Sequence, residues 1–207
     1  MDNIIQLPLG ALAANCYIVP GEDDMAVVID PASSAEVMNI MDRDDMEVGA
    51  IIITHGHFDH FAGVAELRER TGAPVYAPDL DSEMLTSSDK SWAWFMQGTP
   101  FAPVTPDCVF TDGAEFTVCG VTFRVMAAPG HTAGSCLLFC EKFNAIFSGD
   151  VIFQNSIGRT DGYSGNDRQM LETLSEIKLL SGNWQILSGH GDITDLELEK
   201  RYNPYLR

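Results

Sequence analysis

Three histidines and an aspartate stand close together in Thr54-His55-Gly56-His57-Phe58-Asp59-His60. Imidazole and carboxylate are borderline ligands that suit zinc, iron or manganese. The cluster opens directly from the apolar run Gly49–Ile53, so a strand end would project all four side chains from one loop. Four potential ligands exceed what an open catalytic centre normally takes from one loop. The spacing therefore suggests two neighbouring metals, with His55 and His57 pointing one way and Asp59 and His60 the other.

The chain has five histidines, and the other two are His131 and His190. His131 sits in Gly130-His131-Thr132-Ala133-Gly134-Ser135, a glycine-bounded turn where backbone can approach a metal closely. His190 lies in Ser188-Gly189-His190-Gly191, and Asp150 ends Ser148-Gly149-Asp150. Each follows a strand-like apolar run. Ser135 and Cys136 come soon after His131, but no spare histidine remains to act as their base.

The elements that must position these residues alternate between strand and helix patterns. Residues 3–7, 14–20 and 25–30 read as strands, the third ending in Asp30-Pro31. An acid ending a buried strand needs a partner. Asp30 either orients the histidine loop by hydrogen bonding or simply terminates the strand in a turn. Ser33 or Ser34 can cap a helix through about Met41, and Ile51–Ile53 is the next buried strand. Phe61–Thr71 has helical spacing and stops at Gly72. Residues 74–77 form a brief strand, and Asp79–Leu85 a short helix. Trp92, Trp94, Phe95, Met96 and Phe101 either wall a pocket or pack a loop, and packing is favoured. Residues 108–111, 115–118 and 121–127 read as consecutive strands, followed by strands at 135–140 and 144–148. Asp167 caps a helix through about Leu180, Trp184–Leu187 is a last strand, and a helix near 194–201 closes the chain.

The 207 residues suffice for one α/β domain with a full core. A net charge of -18 repels phosphate backbones, which argues against nucleic acid as a partner. Met1-Asp2-Asn3-Ile4 has no basic region followed by an apolar run, so no leader is expected, and no apolar stretch is long enough to span a membrane. The cysteines are Cys16, Cys108, Cys119, Cys136 and Cys140. An odd count without paired C-x-x-C spacing reads as reduced, buried thiols in a cytoplasmic protein.

His-x-His-x-Asp-His after an apolar strand resembles the signature of metallo-β-lactamase-fold hydrolases. The resemblance implies an αββα sandwich, two facing mixed β-sheets with helices outside. It implies that His55, His57 and His131 hold one divalent ion, that Asp59, His60 and His190 hold a second, and that Asp150 bridges them. Zinc is the expected metal, with iron or manganese as alternatives. A water between two ions about 3.5–4 Å apart becomes a hydroxide nucleophile near neutral pH, and Asp59 is expected to orient it and relay its proton.

Asn15-Cys16-Tyr17, Gly130-His131-Thr132, Gly149-Asp150 and Ser156-Ile157-Gly158-Arg159-Thr160-Asp161 resemble small single-domain glyoxalase II-like enzymes. That implies hydrolysis of S-acyl thioesters such as S-lactoylglutathione. Only 17 residues follow His190, so the helical domain that binds much of the glutathione in two-domain relatives is expected to be absent. Arg159 either pairs with a substrate carboxylate or forms a surface salt bridge. Tyr163 is a second candidate for the same wall. Persulfide dioxygenases of this fold, with one iron, share a similar Gly-Arg-Thr-Asp segment and are the rival, and a lactonase is a further alternative. Ser156-Ile157 favours the hydrolase.

Overall fold

The computed structural model describes residues 3–207, so the first two residues of the stretch read for a leader lie outside it. Its first sheet is built from β1 (Ile5–Leu9), β2 (Ala14–Pro20), β3 (Met25–Ile29), β4 (Glu47–Ile52), β5 (Val75–Pro78) and β6 (Cys108–Phe110), side by side in chain order. The β1–β2 and β2–β3 pairs are antiparallel, and β3 to β6 run parallel. The parallel crossovers carry α1 (Ser34–Asp44), α2 (Phe58–Phe61) and α3 (Val64–Thr71). The second sheet uses β7 (Glu115–Val118), β8 (Val121–Ala127), β9 (Cys136–Cys140), β10 (Ala145–Gly149), β13 (Gln185–Ser188) and β14 (Thr194–Asp195), in the order β14-β13-β10-β9-β8-β7. Between β10 and β13 come a small hairpin, β11 (Ile152–Phe153) with β12 (Ser156–Ile157), and α4 (Asp167–Leu179). Helix α5 (Leu196–Tyr202) follows β14.

Side-chain alternation explains the layering. Along β3, Val27 and Ile29 enter the core between the sheets with Tyr17, Phe123 and Phe147. Ala26 and Val28 face the other way, against Val37, Phe61 and Leu67 of the helices. On the second sheet, Leu137, Phe139 and Ile146 pack against Met170, Leu174 and Ile177 of α4. Two mixed sheets with helices outside each are the expected αββα sandwich.

Several local expectations are corrected. The helix expected over Phe61–Thr71 is broken into α2 and α3. At the break, the Gly63 N–H donates to Pro31 O, and a Cβ there would sit 2.6 Å from the Ser33 and Ser34 backbone. Asp79–Leu85 forms two short 3-10 turns rather than an α-helix, with the Asp81 side chain turned inward. Asn166, not Asp167, caps α4, accepting from the Gln169 N–H. The strands at 108–110 and 115–118 are consecutive in sequence but belong to different sheets. Cys108 is exposed and Cys119 half-buried, whereas Cys16, Cys136 and Cys140 are buried. Among the described residues, no helix is long and apolar enough to cross a membrane.

Candidate metal centre

Four chain segments deliver the chemistry-bearing side chains to one edge of the sandwich. The loop after β4 supplies His55 and His57, and α2 carries Asp59 and His60. The turn after β8 supplies His131, the end of β10 supplies Asp150, and the loop after β13 supplies His190. One ligand atom each from His55, His57 and His131 lie within 4.8 Å of one another, as do those of Asp59, His60 and His190. Asp150 lies between the two groups. Its Oδ1 is 3.5 Å from His60 Nε2, and its Oδ2 is 3.6 Å from both His131 Nε2 and His190 Nε2.

Hydrogen bonds from behind set the direction of three of the rings. The His131 Nδ1–H donates to Arg159 O at 2.7 Å, which leaves Nε2 as the bare nitrogen facing Asp150. The His60 Nδ1–H donates to Asp30 Oδ2 at 2.9 Å. The Thr54 hydroxyl donates to the same oxygen at 2.6 Å, so it accepts from His55 Nδ1 at 3.1 Å. Asp30 Oδ1 takes the Thr54 N–H at 2.8 Å. Both readings of Asp30 hold together: it ends β3 with a positive φ of 52° and it orients the histidine loop.

Asp81 was not singled out from the sequence. It is fully buried and joins the two histidine loops. Its Oδ2 accepts from the Gly56 N–H at 2.8 Å and the Thr132 hydroxyl at 2.6 Å, and its Oδ1 accepts from the Gly134 N–H at 2.7 Å. Across the sandwich, Asn15 Nδ2 donates to Ser188 O and Gly191 O at 2.9 Å each, and the Tyr17 hydroxyl donates to Ser188 O at 2.7 Å. These bonds hold the His190 loop against β2. Close packing there needs glycine, because a Cβ on Gly189 would overlap Asp150 Oδ1.

The donor set fits divalent metal. His55 Nε2, His57 Nε2 and Asp150 Oδ1 are buried without a protein hydrogen-bond partner. Leaving such atoms unpaired costs about 1–3 kcal/mol each, and a cation satisfies them. His57 Nδ1 and His131 Nε2 lie 2.8 Å apart as a hydrogen-bonded pair, which leaves His57 Nε2 as the bare nitrogen of that ring.

Electrostatics divide the two groups. Burial, reinforced by the neighbouring imidazoles, holds His55 well below the usual histidine range and brings His57 down to about 3. Both are neutral and ready to ligate. Burial also pulls His60 down, but Asp59, Asp150 and Asp30 overcome it and push the ring up to about 10. Burial raises Asp59, and His60 and His190 more than reverse that, keeping it ionised well below the usual carboxylate range. His190 is raised by its bond to Asp59 and by Asp150 against its own burial.

In the metal-free chain the His60 contribution to stability is therefore complete below pH ~6.5 and is lost as pH rises through about 10. The His57 contribution runs oppositely, present above pH ~6.5 and lost as pH falls toward about 3. Loading metal at pH 7 must displace the His60 Nε2 proton. Titration calorimetry in buffers of different ionisation heat is expected to show release of about one proton or more per chain. Heats independent of buffer would contradict the charged state assigned to His60.

A cavity of about 440 Å³ opens onto these residues, lined also by Leu12, Trp92, Trp94, Phe95 and Arg159. Trp92 stacks on His57 with centroids 4.8 Å apart and planes 13° from parallel. Its backbone is left-handed, φ 60°, a strained conformation for so bulky a residue. The Arg159 guanidinium lies 4.9 Å over the same indole and pairs with Asp161 through Nε at 2.6 Å and its terminal nitrogen at 2.8 Å. The Tyr163 hydroxyl donates to Glu83, away from the histidines. The aromatic cluster divides: Phe101 packs on Phe58 and Phe61 and Met96 is buried, while Trp92, Trp94 and Phe95 face the cavity. The Ser135 hydroxyl is bonded to Thr132, and the buried Cys136 thiol donates to Thr54 O with its pKa driven up by burial.

Comparison with known proteins agrees with this architecture. The family model described as Metallo-beta-lactamase superfamily matches residues 9–190. "Probable metallo-hydrolase YqgX" of Bacillus subtilis is 30% identical, over 97% of this chain and 96% of its own. "Hydroxyacylglutathione hydrolase GloC" of Haemophilus influenzae is 28% identical, over 99% of this chain and 98% of its own. Among solved structures, BLEG-1 B3 metallo-beta-lactamase superposes with a TM-score of 0.92 at 33% identity, covering 99% of both chains. TTHA1623 in a di-iron-bound form superposes with a TM-score of 0.86 at 30% identity, covering 98% of this chain and all of its own.

Proposed function

The chain belongs to the metallo-beta-lactamase superfamily and is a metallo-hydrolase of that fold, and we propose that its substrates are S-acyl thioesters. The observation that carries the reading is the pair of three-residue groups flanking Asp150 at the floor of an open cavity. A relative named for hydroxyacylglutathione hydrolysis, similar along nearly its whole length, supports the thioester.

The proposal assigns His55, His57 and His131 to one divalent ion and Asp59, His60 and His190 to the other, with Asp150 shared. When bound, the ions supply Lewis acidity, lowering the pKa of a water toward neutrality and polarising the scissile carbonyl. Asp59 Oδ2, 3.2 Å from His190 Nε2 and held ionised, orients the nucleophile and takes its proton. Asp30 and Thr54 keep His60 and His55 in fixed orientation while charge builds. Trp92 braces His57 and excludes water from that side. The thiolate product, with a solution pKa of about 8.5 for a simple thiol, departs without a proton donor. The small-molecule thioester is the proposed partner and zinc the proposed metal.

Elemental analysis of freshly purified protein, run beside an S-lactoylglutathione assay, tests this. Near two zinc per chain with thioester cleavage is the expected result. One iron per chain, with oxygen consumed on addition of glutathione persulfide, would replace the hydrolase with a persulfide dioxygenase.

A further inference from the structure

We infer that the rim formed by Leu12, Trp94 and Phe95 receives an apolar group of the substrate, so the preferred thioester carries an alkyl chain or ring rather than free carboxylates. The inference rests on the thioester reading above and specifies its substrate class. Trp94 is 65% exposed and Phe95 63% exposed, in edge-to-face contact with centroids 6.0 Å apart. Leu12 is 44% exposed on the loop between β1 and β2. All three line the same cavity as His57, Asp59 and Asp150, so the apolar surface is continuous with the metal groups. Large exposed rings held in one patch at a cavity mouth mark a binding surface.

Charge disfavours the opposite class. Among the described residues that line the cavity, Arg159 is the one Lys or Arg, and Asp161 holds one edge of its guanidinium and neutralises its charge. Lys90, beside Tyr163, is paired with Glu83 at 2.5 Å. The rim's cations are therefore each compensated by a carboxylate before a peptide carboxylate arrives, and the chain as a whole carries a charge of -18. A polyanionic thiol carrier meets repulsion, whereas a neutral apolar group buries surface at no electrostatic cost.

The test measures kcat/KM of the zinc-loaded protein on acetyl and hexanoyl thioesters of N-acetylcysteamine and of glutathione. A fully buried methylene is worth about fourfold. With the rim open on one side, the hexanoyl ester is expected to exceed the acetyl ester by about 10-fold or more. Changing the thiol to glutathione is expected to bring no gain. In a Trp94→Ser, Phe95→Ser double variant the hexanoyl-to-acetyl ratio is expected to collapse to about twofold or less. A wild-type ratio already that small, or a ratio that survives the double substitution, would overturn the rim while leaving thioester hydrolysis standing. If no thioester is cleaved, the functional reading fails separately. The rim is then judged by tryptophan fluorescence with the thioethers S-hexyl- and S-methyl-N-acetylcysteamine. Tighter hexyl binding that is lost in the double variant supports it, and equal binding refutes it.

Discussion

An Asp150→Ala variant is expected to lose at least about 10³-fold in kcat and to retain less metal after dialysis than the wild type. The carboxylate stands between both three-residue groups, 3.5 Å from His60 Nε2 and 3.6 Å from His131 and His190 Nε2. Asp30 also lies within 4.8 Å of His55 and His60, but its oxygens are already taken by Thr54 and His60. Removing Asp150 takes one negative charge from a centre that would hold two dications. The lost ligand and charge weaken metal retention, and the lost ion takes the nucleophile with it. The check is metal content by elemental analysis together with steady-state kinetics. Wild-type rates from a dialysed Asp150→Ala preparation would end the two-metal assignment. Retained stoichiometry with lost turnover would keep the two metals and shift the role of Asp150 to chemistry alone.

The second large effect is expected at Asp81. Asp81→Asn keeps the shape but replaces one acceptor oxygen by a donor. Either Gly134 loses its acceptor, or Gly56 and Thr132 lose theirs, and an N–H is set against an N–H. Each buried donor left unpaired costs about 1–3 kcal/mol, so a total of about 2–4 kcal/mol is expected. At about 2–4 °C per kcal/mol for a chain of this size, Tm falls by roughly 5–15 °C. The clamp ties the His55–His60 loop to the His131 turn, so metal affinity is expected to fall about 10–100-fold as well. Calorimetric Tm and competitive metal titration separate the two effects. A lowered Tm with unchanged metal affinity would show that Asp81 supports the fold but does not position the histidines.

The local parts of this molecule were legible because their signals are local. Apolar runs such as Met25–Ile29 and Val121–Ala127 announce strands, and β2 emerged with the same bounds, Ala14–Pro20, that its strand formers suggested. His55, His57, Asp59 and His60 had to lie together, since only a few residues separate them. The convergence of His131, Asp150 and His190 on them came from resemblance, and in the structure these side chains do meet.

What the chain alone did not reveal depends on partners far away in sequence. Asp81 looks like any turn aspartate until Gly56 and Gly134 close on it. The 108–110 and 115–118 strands are neighbours in sequence, and only pairing with β5 and β8 assigns them to different sheets. Trp94 and Phe95 carry the same composition signal as Phe101. One pair lines the cavity and the other ring is packed against Phe58, because facing surfaces, not hydrophobicity, decide which ring is covered. Sequence determined which residues could do the chemistry. Tertiary structure decided which buried acid holds them in place and which apolar surface stays open to a substrate, because both follow from contacts between segments that local periodicity does not encode.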